Sequence, residues 1–167
     1  MTVKHPHLIV IAGPNGAGKS TTAPSLLKGT LHVTEFVNAD LIAQGLSAFK
    51  PEMIAFQAGR IMLERIHYLA NKRVNFSFET TLASKTFAPW IIELRKTGYI
   101  FHLVFLWLPS EEFAINRVAE RVRMGGHNVP KDTIRRRYHA GLRNFLASIV
   151  LWQIHGFFMT TLLQSQH

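Results

Sequence analysis

Residues 8–20 read Leu8-Ile9-Val10-Ile11-Ala12-Gly13-Pro14-Asn15-Gly16-Ala17-Gly18-Lys19-Ser20, five apolar residues running straight into a complete G-x-x-x-x-G-K-S pattern. The order is as informative as the letters. A buried strand must aim such a loop and a helix must follow it, so that backbone N–H groups and the positive end of the helix dipole converge on phosphate oxygens. Gly13, Gly16 and Gly18 permit backbone angles and a close approach that a Cβ would oppose. Lys19 can reach the β and γ phosphates, and the Ser20 hydroxyl is placed to ligate Mg²⁺. Pro14, Asn15, Ala17 and Thr21 complete the expected nucleotide-binding segment. The alternative is a glycine-rich turn with an unused lysine, which the strand–loop–helix context disfavours. A nucleoside triphosphate with Mg²⁺ is the expected ligand.

The rest of the chain bounds that reading. At 167 residues with nearly half of them apolar, one domain with a substantial core is the default. The 19 Lys and Arg against 10 Asp and Glu suit an anionic ligand, whether a nucleotide, a sugar nucleotide or a nucleic acid backbone. The chain has no cysteine, which excludes disulfides and thiolate chemistry and fits a reducing cytosol. Met1 to His7 shows no signal-peptide pattern, so a cytoplasmic protein is expected. From Leu146 to Leu163 no residue is charged, but Gln153, His155, Gly156 and Thr160-Thr161 interrupt the apolar run. This segment reads as a packed helix or a poorly ordered tail in preference to a membrane span.

Outward from the loop, apolar runs and helical patterns alternate. The spacing predicts a helix over Ser20–Leu27, a short strand over Glu35–Val37, and a helix carrying Leu41, Ile42 and Leu46. Pro51 stands at a helix N1 position, ahead of a helical stripe through Ile54, Ala58, Ile61, Met62, Ile66 and Leu69. Val74–Phe78 reads as a strand ending at Glu79, Ala83–Lys96 as a helix, and Ile100–Leu108 as a long buried strand. Ser110 is the expected N-cap of the next helix, with Glu111 and Glu112 in its first turn. Such alternation specifies βαβ units and hence a three-layer P-loop α/β sandwich with a mainly parallel sheet. Ligands in this architecture sit beyond the carboxyl ends of the strands, where the glycine loop, Asp40 and Glu79 converge.

Phosphoryl transfer needs positioning, a metal ion, cationic stabilisation and, for an alcohol acceptor, a base. Asp40 is a candidate base, or equally the N-cap of the helix that begins at Leu41. Glu79 ends a buried strand with a charge, which requires either a structural partner or a role toward Mg²⁺-linked water or a substrate hydroxyl. Arg117 and Arg121, four residues apart, share a helix face and can enter one phosphate site. Met124-Gly125-Gly126-His127-Asn128-Val129-Pro130 breaks the helical pattern with paired glycines, in the manner of a lid that brings arginines onto phosphates. Arg135-Arg136-Arg137 belongs to that lid or forms a solvated or nucleic-acid-facing run. No histidine pattern with metal-ligand spacing occurs, so Mg²⁺ carried by the nucleotide is the metal inferred.

Four ordered segments carry a family resemblance: Ala12–Thr22, Phe36-Val37-Asn38-Ala39-Asp40, Phe78-Glu79-Thr80-Thr81, and Gly125-Gly126-His127-Asn128-Val129-Pro130 through Ile134-Arg135-Arg136-Arg137-Tyr138. Together they resemble the zeta-toxin family of small P-loop kinases, specifically its short chromosomal branch. The resemblance spans about residues 5–145 and is far more specific than the glycine loop alone. It implies an adenylate-kinase-like fold with an Arg-bearing lid, and transfer of the ATP γ-phosphate to a small acceptor. In the better-known zeta toxins that acceptor is a UDP-activated amino sugar, and an antitoxin partner can block ATP access. By the same resemblance Lys19 is the phosphate lysine, Ser20 the Mg²⁺ ligand, Asp40 the base, and Glu79 with Thr80 the acceptor-binding side. Arg117, Arg121 and Arg136 are then the favoured phosphate-stabilising arginines.

Two departures accompany the match. The Leu41–Leu46 segment differs from the toxin branch, so the acceptor pocket can differ too. Residues 1–145 form the expected kinase domain, whereas 146–167 is a divergent apolar tail in place of the family's final strand. If that strand is missing, the sheet has an unfilled edge position. The resulting expectation is a cytoplasmic small-molecule kinase that uses ATP and Mg²⁺, ranked above a nucleic-acid hydroxyl kinase or a water-using ATPase. A nucleotide-binding protein without turnover is the alternative from outside the enzymes.

Overall fold

A computed structural model of the chain describes residues 5–47, 50–151 and 157–161. Strand β1 (His7–Ala12) leads into helix α1 (Lys19–Pro24), which Pro24 and a π-helical turn over Ser25–Thr30 bring to an end. Strand β2 (Glu35–Val37), α2 (Ala39–Leu46), a 3₁₀ turn (Pro51–Ile54) and α3 (Ala55–Asn71) follow. Strand β3 (Phe76–Thr80), α4 (Phe87–Lys96), β4 (Ile100–Trp107), α5 (Glu111–Arg123), α6 (Lys131–Leu151) and β5 (Phe157–Thr161) complete the order. The expected elements are present with shifted ends: the first helix starts at Lys19, β3 starts two residues later than read, and α4 starts at Phe87. The last shift reflects the residues before α4, where Leu82 takes a positive φ of 58° and Ser84 accepts from the Thr86 N–H.

The five strands run in the order β2-β3-β1-β4-β5, and every pairing is parallel. Leu8 to Ala12 pair with Phe76 to Thr80 on one side and with Phe101 to Phe105 on the other, so β1 is central and its carboxyl end delivers the glycine loop to the middle of the sheet. The edge position beside β4 is filled. Leu103–Trp107 pair with Phe157–Thr161, which corrects the conditional expectation of an open edge. A ladder demands backbone groups in an apolar, β-prone run, which Phe157-Phe158-Met159 supplies without resembling the family's own final strand.

Buried side chains alternate between two faces, as a parallel sheet covered on both sides requires. Leu8, Val10, Phe76, Phe78, Leu103 and Phe105 pack against Met62, Ile66 and Leu69 of α3 and Ile91 and Leu94 of α4. On the opposite face Ile9, Ile11, Val104 and Leu106 meet Ala23 and Leu27 from the α1 segment and Ala114, Ile115 and Val118 of α5. Helix α6 serves both cores. Its Ile134 and Tyr138 join the second cluster, while Phe145 stacks on Phe105 of the first at a centroid distance of 4.1 Å. The helix therefore passes close to the β3–α4 connection, where Asn144 Nδ2 donates to the Leu82 carbonyl at 2.8 Å. No helix among the described residues is long and apolar enough to cross a membrane.

Two glycines make this packing testable in opposite directions. A Cβ on Gly141 of α6 would lie 2.4 Å from the Thr81 carbonyl oxygen, whereas one on Gly59 of α3 would meet nothing within 4 Å. Gly141→Ala is expected to destabilise by about 1–3 kcal/mol, as overpacking does. Gly59→Ala is expected to stabilise by about 0.5–1 kcal/mol through reduced chain entropy. Urea unfolding of both variants checks the signs.

Candidate active site

The carboxyl ends of β1, β2 and β3 present the glycine loop, Asn38 and Glu79 side by side. Gly13 has φ 144° and a Cβ there would sit 2.3 Å from the Leu106 carbonyl oxygen, so the loop leaves β1 along a path only glycine can follow. Gly16 has φ 83°, and a Cβ there would be 3.0 Å from both the Ala114 carbonyl oxygen and Arg117 Cβ. Gly18, at φ 80°, turns the chain into α1. The Asn15 side chain is buried, and its Oδ1 has no protein partner among the described residues, a polar atom left for a ligand or water.

Glu79 organises the charge. The Ser20 hydroxyl and Asn38 Nδ2 each donate to its Oε2 at 2.7 Å, and Lys19 Nζ lies 3.7 Å from its Oε1. Lys19 also donates to the Pro14 carbonyl at 2.9 Å. The Lys19 and Glu79 side chains are only 6% and 10% exposed, so each charge depends on the other. Burial pushes the Lys19 ammonium below its ordinary 10.5; Glu79 and then Asp40 oppose that shift, and Arg121 adds to it. A serine hydroxyl beside a buried carboxylate at the phosphate loop is a hard-oxygen donor set that fits Mg²⁺.

Asn38 caps α2. Its Oδ1 accepts from the N–H groups of Asp40 at 2.7 Å and Leu41 at 3.3 Å, which overturns the reading of Asp40 as the cap. Both residue types cap well, but only position 38 precedes the helix with extended backbone angles. Asp40 is thereby left in the first turn with a half-exposed carboxylate, 3.7 Å from His127 Nε2. Thr80, expected on the acceptor side, accepts from the Leu82 N–H at 3.0 Å and so holds the turn after β3.

Helices α5 and α6 bring the arginines. Arg117 Nε donates to the Gly16 carbonyl at 2.8 Å, which locks α5 onto the loop. Arg121 Nη2 donates to the His127 carbonyl at 3.1 Å, and its buried Nε has no partner among the described residues. Arg117 thus contacts the loop, and Arg121 contacts the turn that follows α5. Arg136 is exposed, whereas the neighbouring Arg137 is half-buried and its charge interacts with Asp40. Burial disfavours the Arg137 guanidinium, the Asp40 carboxylate supports it and Arg136 repels it. Arg136 is the one favoured from sequence, but the rotation of α6, which decides how each residue of Arg135-Arg136-Arg137 is presented, is set by the burial of Ile134 and Tyr138.

The sequence profile of the AAA domain family matches residues 8–144. The chain belongs to that family. The matched span contains the glycine loop and every other site residue described above. An uncharacterised protein of Haemophilus influenzae is 26% identical over 130 residues, covering 78% of this chain and 91% of its own. Among solved structures, a chain of the PezAT chromosomal toxin–antitoxin system of Streptococcus pneumoniae superposes with a TM-score of 0.72 at 15% identity, over 99% of this chain and 72% of that one. A chain of the AvrRxo1-ORF1:AvrRxo1-ORF2 complex gives a TM-score of 0.73 at 17% identity, over 89% of this chain and 51% of that one. These likenesses establish a shared fold.

A triphosphate adds negative charge beside Lys19 and draws its proton affinity back up. Nucleotide binding is therefore expected to take up a proton at alkaline pH below 10.5, where free Lys19 is partly neutral. Calorimetry in two buffers of different ionisation enthalpy measures this. Binding heats independent of buffer would place the phosphates away from Lys19.

Proposed function

We propose that this protein is an ATP-dependent phosphotransferase that moves the γ-phosphate to a hydroxyl of a small acceptor, with a UDP-activated amino sugar as the leading acceptor class. The observation that carries the reading is the joining of Lys19, Ser20, Asn38 and Glu79 in one network, with Asp40 held two residues beyond Asn38 at its rim. A nucleotide-binding loop alone would not require a half-exposed carboxylate there. The zeta-toxin resemblance and the AAA domain match support the same assignment.

In this reading the loop N–H groups and Lys19 hold the β and γ phosphates. Ser20 and Glu79 would hold Mg²⁺, which when bound neutralises charge on the phosphates. Asp40 accepts the proton of the acceptor hydroxyl as its oxygen bonds to phosphorus and the bond to the bridging oxygen of ADP breaks. Arg117, Arg121 and Arg137 spread positive charge over the transferring group. Asn38 fixes Glu79 and the start of α2 together, so the metal side and the acceptor side move as one unit. The fold shared with a PezAT chain motivates a search for a protein partner of antitoxin type.

The test is γ-labelled ATP with Mg²⁺ and a panel of UDP-sugars, nucleosides and oligonucleotides, run with wild type, Lys19→Ala and Asp40→Asn. Transfer to a sugar-nucleotide acceptor is expected, abolished by Lys19→Ala and lowered about 10²–10⁴-fold by Asp40→Asn. Label released only to water, or transferred to oligonucleotides with steep salt dependence, would contradict the proposal.

A further inference from the structure

The His127 imidazole has no part in the chemistry above, yet its position is closely built. The turn between α5 and α6 is fastened to Arg121 at two backbone points: the Gly126 N–H donates to the Arg121 carbonyl at 2.9 Å, and Arg121 Nη2 donates to the His127 carbonyl at 3.1 Å. Gly126 also packs against the Arg121 side chain so closely that a Cβ there would lie 2.6 Å from Cγ. The turn thus follows Arg121, an arginine on the phosphate side of the site. From it the His127 ring, 18% exposed, projects to within 3.7 Å of Asp40 Oδ2, on the rim of α2. Asp40 Oδ1 accepts no hydrogen bond among the described residues.

We propose that His127 is a positioning residue that restrains Asp40 through Oδ2 and so leaves Oδ1 to receive the acceptor proton. A ring nitrogen 3.7 Å away is just beyond hydrogen-bond length, so a small closing movement of the α5–α6 turn converts the contact into an N–H···O bond. Through Arg121 the same turn senses the occupied phosphate site, and the base is aligned when nucleotide is in place. The charged groups around the pair are Arg121 from α5, Arg137 and its neighbour Arg136 from α6, and Lys19 from the loop. The inference rests on the phosphotransferase reading.

The experiment compares acceptor-dependent kinetics of wild type, His127→Ala, His127→Gln, Asp40→Asn and the His127→Ala/Asp40→Asn double variant. Imidazole resonances of His127 are followed by NMR in wild type and Asp40→Asn, and thermal unfolding verifies that each variant is folded. His127→Ala is expected to lower kcat about 10–100-fold with ATP affinity unchanged, the scale of a misplaced catalytic group. Glutamine keeps an N–H donor at similar reach, so His127→Gln should recover most of that loss. In the Asp40→Asn background, His127→Ala should add little, because the residue acts through Asp40. Full additivity, or a glutamine variant no better than alanine, would overturn the positioning role. Resonances that ignore Asp40→Asn would overturn the pairing itself, whatever the kinetics. A wild-type chain that transfers nothing while the resonances respond would instead overturn the phosphotransferase reading and leave the pairing standing.

Discussion

The buried Lys19–Glu79 pair is the interaction on which the rest of the site depends. Each side chain is almost wholly removed from water, and the pair joins two elements: Lys19, held by the Pro14 carbonyl of the loop after β1, and Glu79 near the end of β3. Breaking such a pair from one side leaves a charge in low dielectric at a cost of about 3–5 kcal/mol. The parallel register that places Ile11 opposite Glu79 and Ala12 opposite Thr80 is therefore also the register that satisfies this charge. Ser20 and Asn38 complete the shell, so the start of α1 and the cap of α2 are tied to the same carboxylate. Sheet register, loop path and site electrostatics form one constraint.

A second layer of order comes from outside the sheet. Arg117 fastens α5 to Gly16, while α6 joins the two cores through Ile134 and Tyr138 on one side and Phe145 on the other. The segment between them, with its paired glycines, is anchored at Arg121 and reaches Asp40 through His127. The proposed phosphate and acceptor sides are thereby connected through one hairpin of helices. Under the proposed function this turn would serve as the lid, because it touches Arg121 on one side and Asp40 on the other.

How much of this was legible in the sequence differs from part to part. The strands β1 and β4 are doubly covered, so they appear as unbroken apolar runs, and the glycine loop declares its own backbone path. Glu79 was legible as a charge at the end of a buried strand, and its partners are all site residues. Asp40 as a cap was plausible because Asn38 and Asp40 are chemically similar caps two residues apart; only backbone angles separate them. Three consecutive arginines conceal which one faces inward, since a helix rotates each by about 100° and the packing of Tyr138 fixes the phase. His127 was legible as part of the Gly125–Pro130 segment, but its nearness to Asp40 was not, because tertiary structure makes that contact. The final strand was hidden for a different reason: ladder pairing reads the backbone, and β5 joins β4 with side chains unlike those of the resembled family.

In the proposed reaction one charge-balanced network takes MgATP and hands its γ-phosphate toward Asp40. A crystal structure of the chain with a non-hydrolysable ATP analogue and Mg²⁺ tests it most directly. The metal is expected on Ser20 Oγ with Glu79 turned to it through oxygen or water, Lys19 on the β and γ phosphates, and the terminal phosphate facing Asp40. Phosphates seated outside the Gly13–Ser20 loop, or a metal that leaves the Ser20–Glu79 hydrogen bond intact, would contradict it.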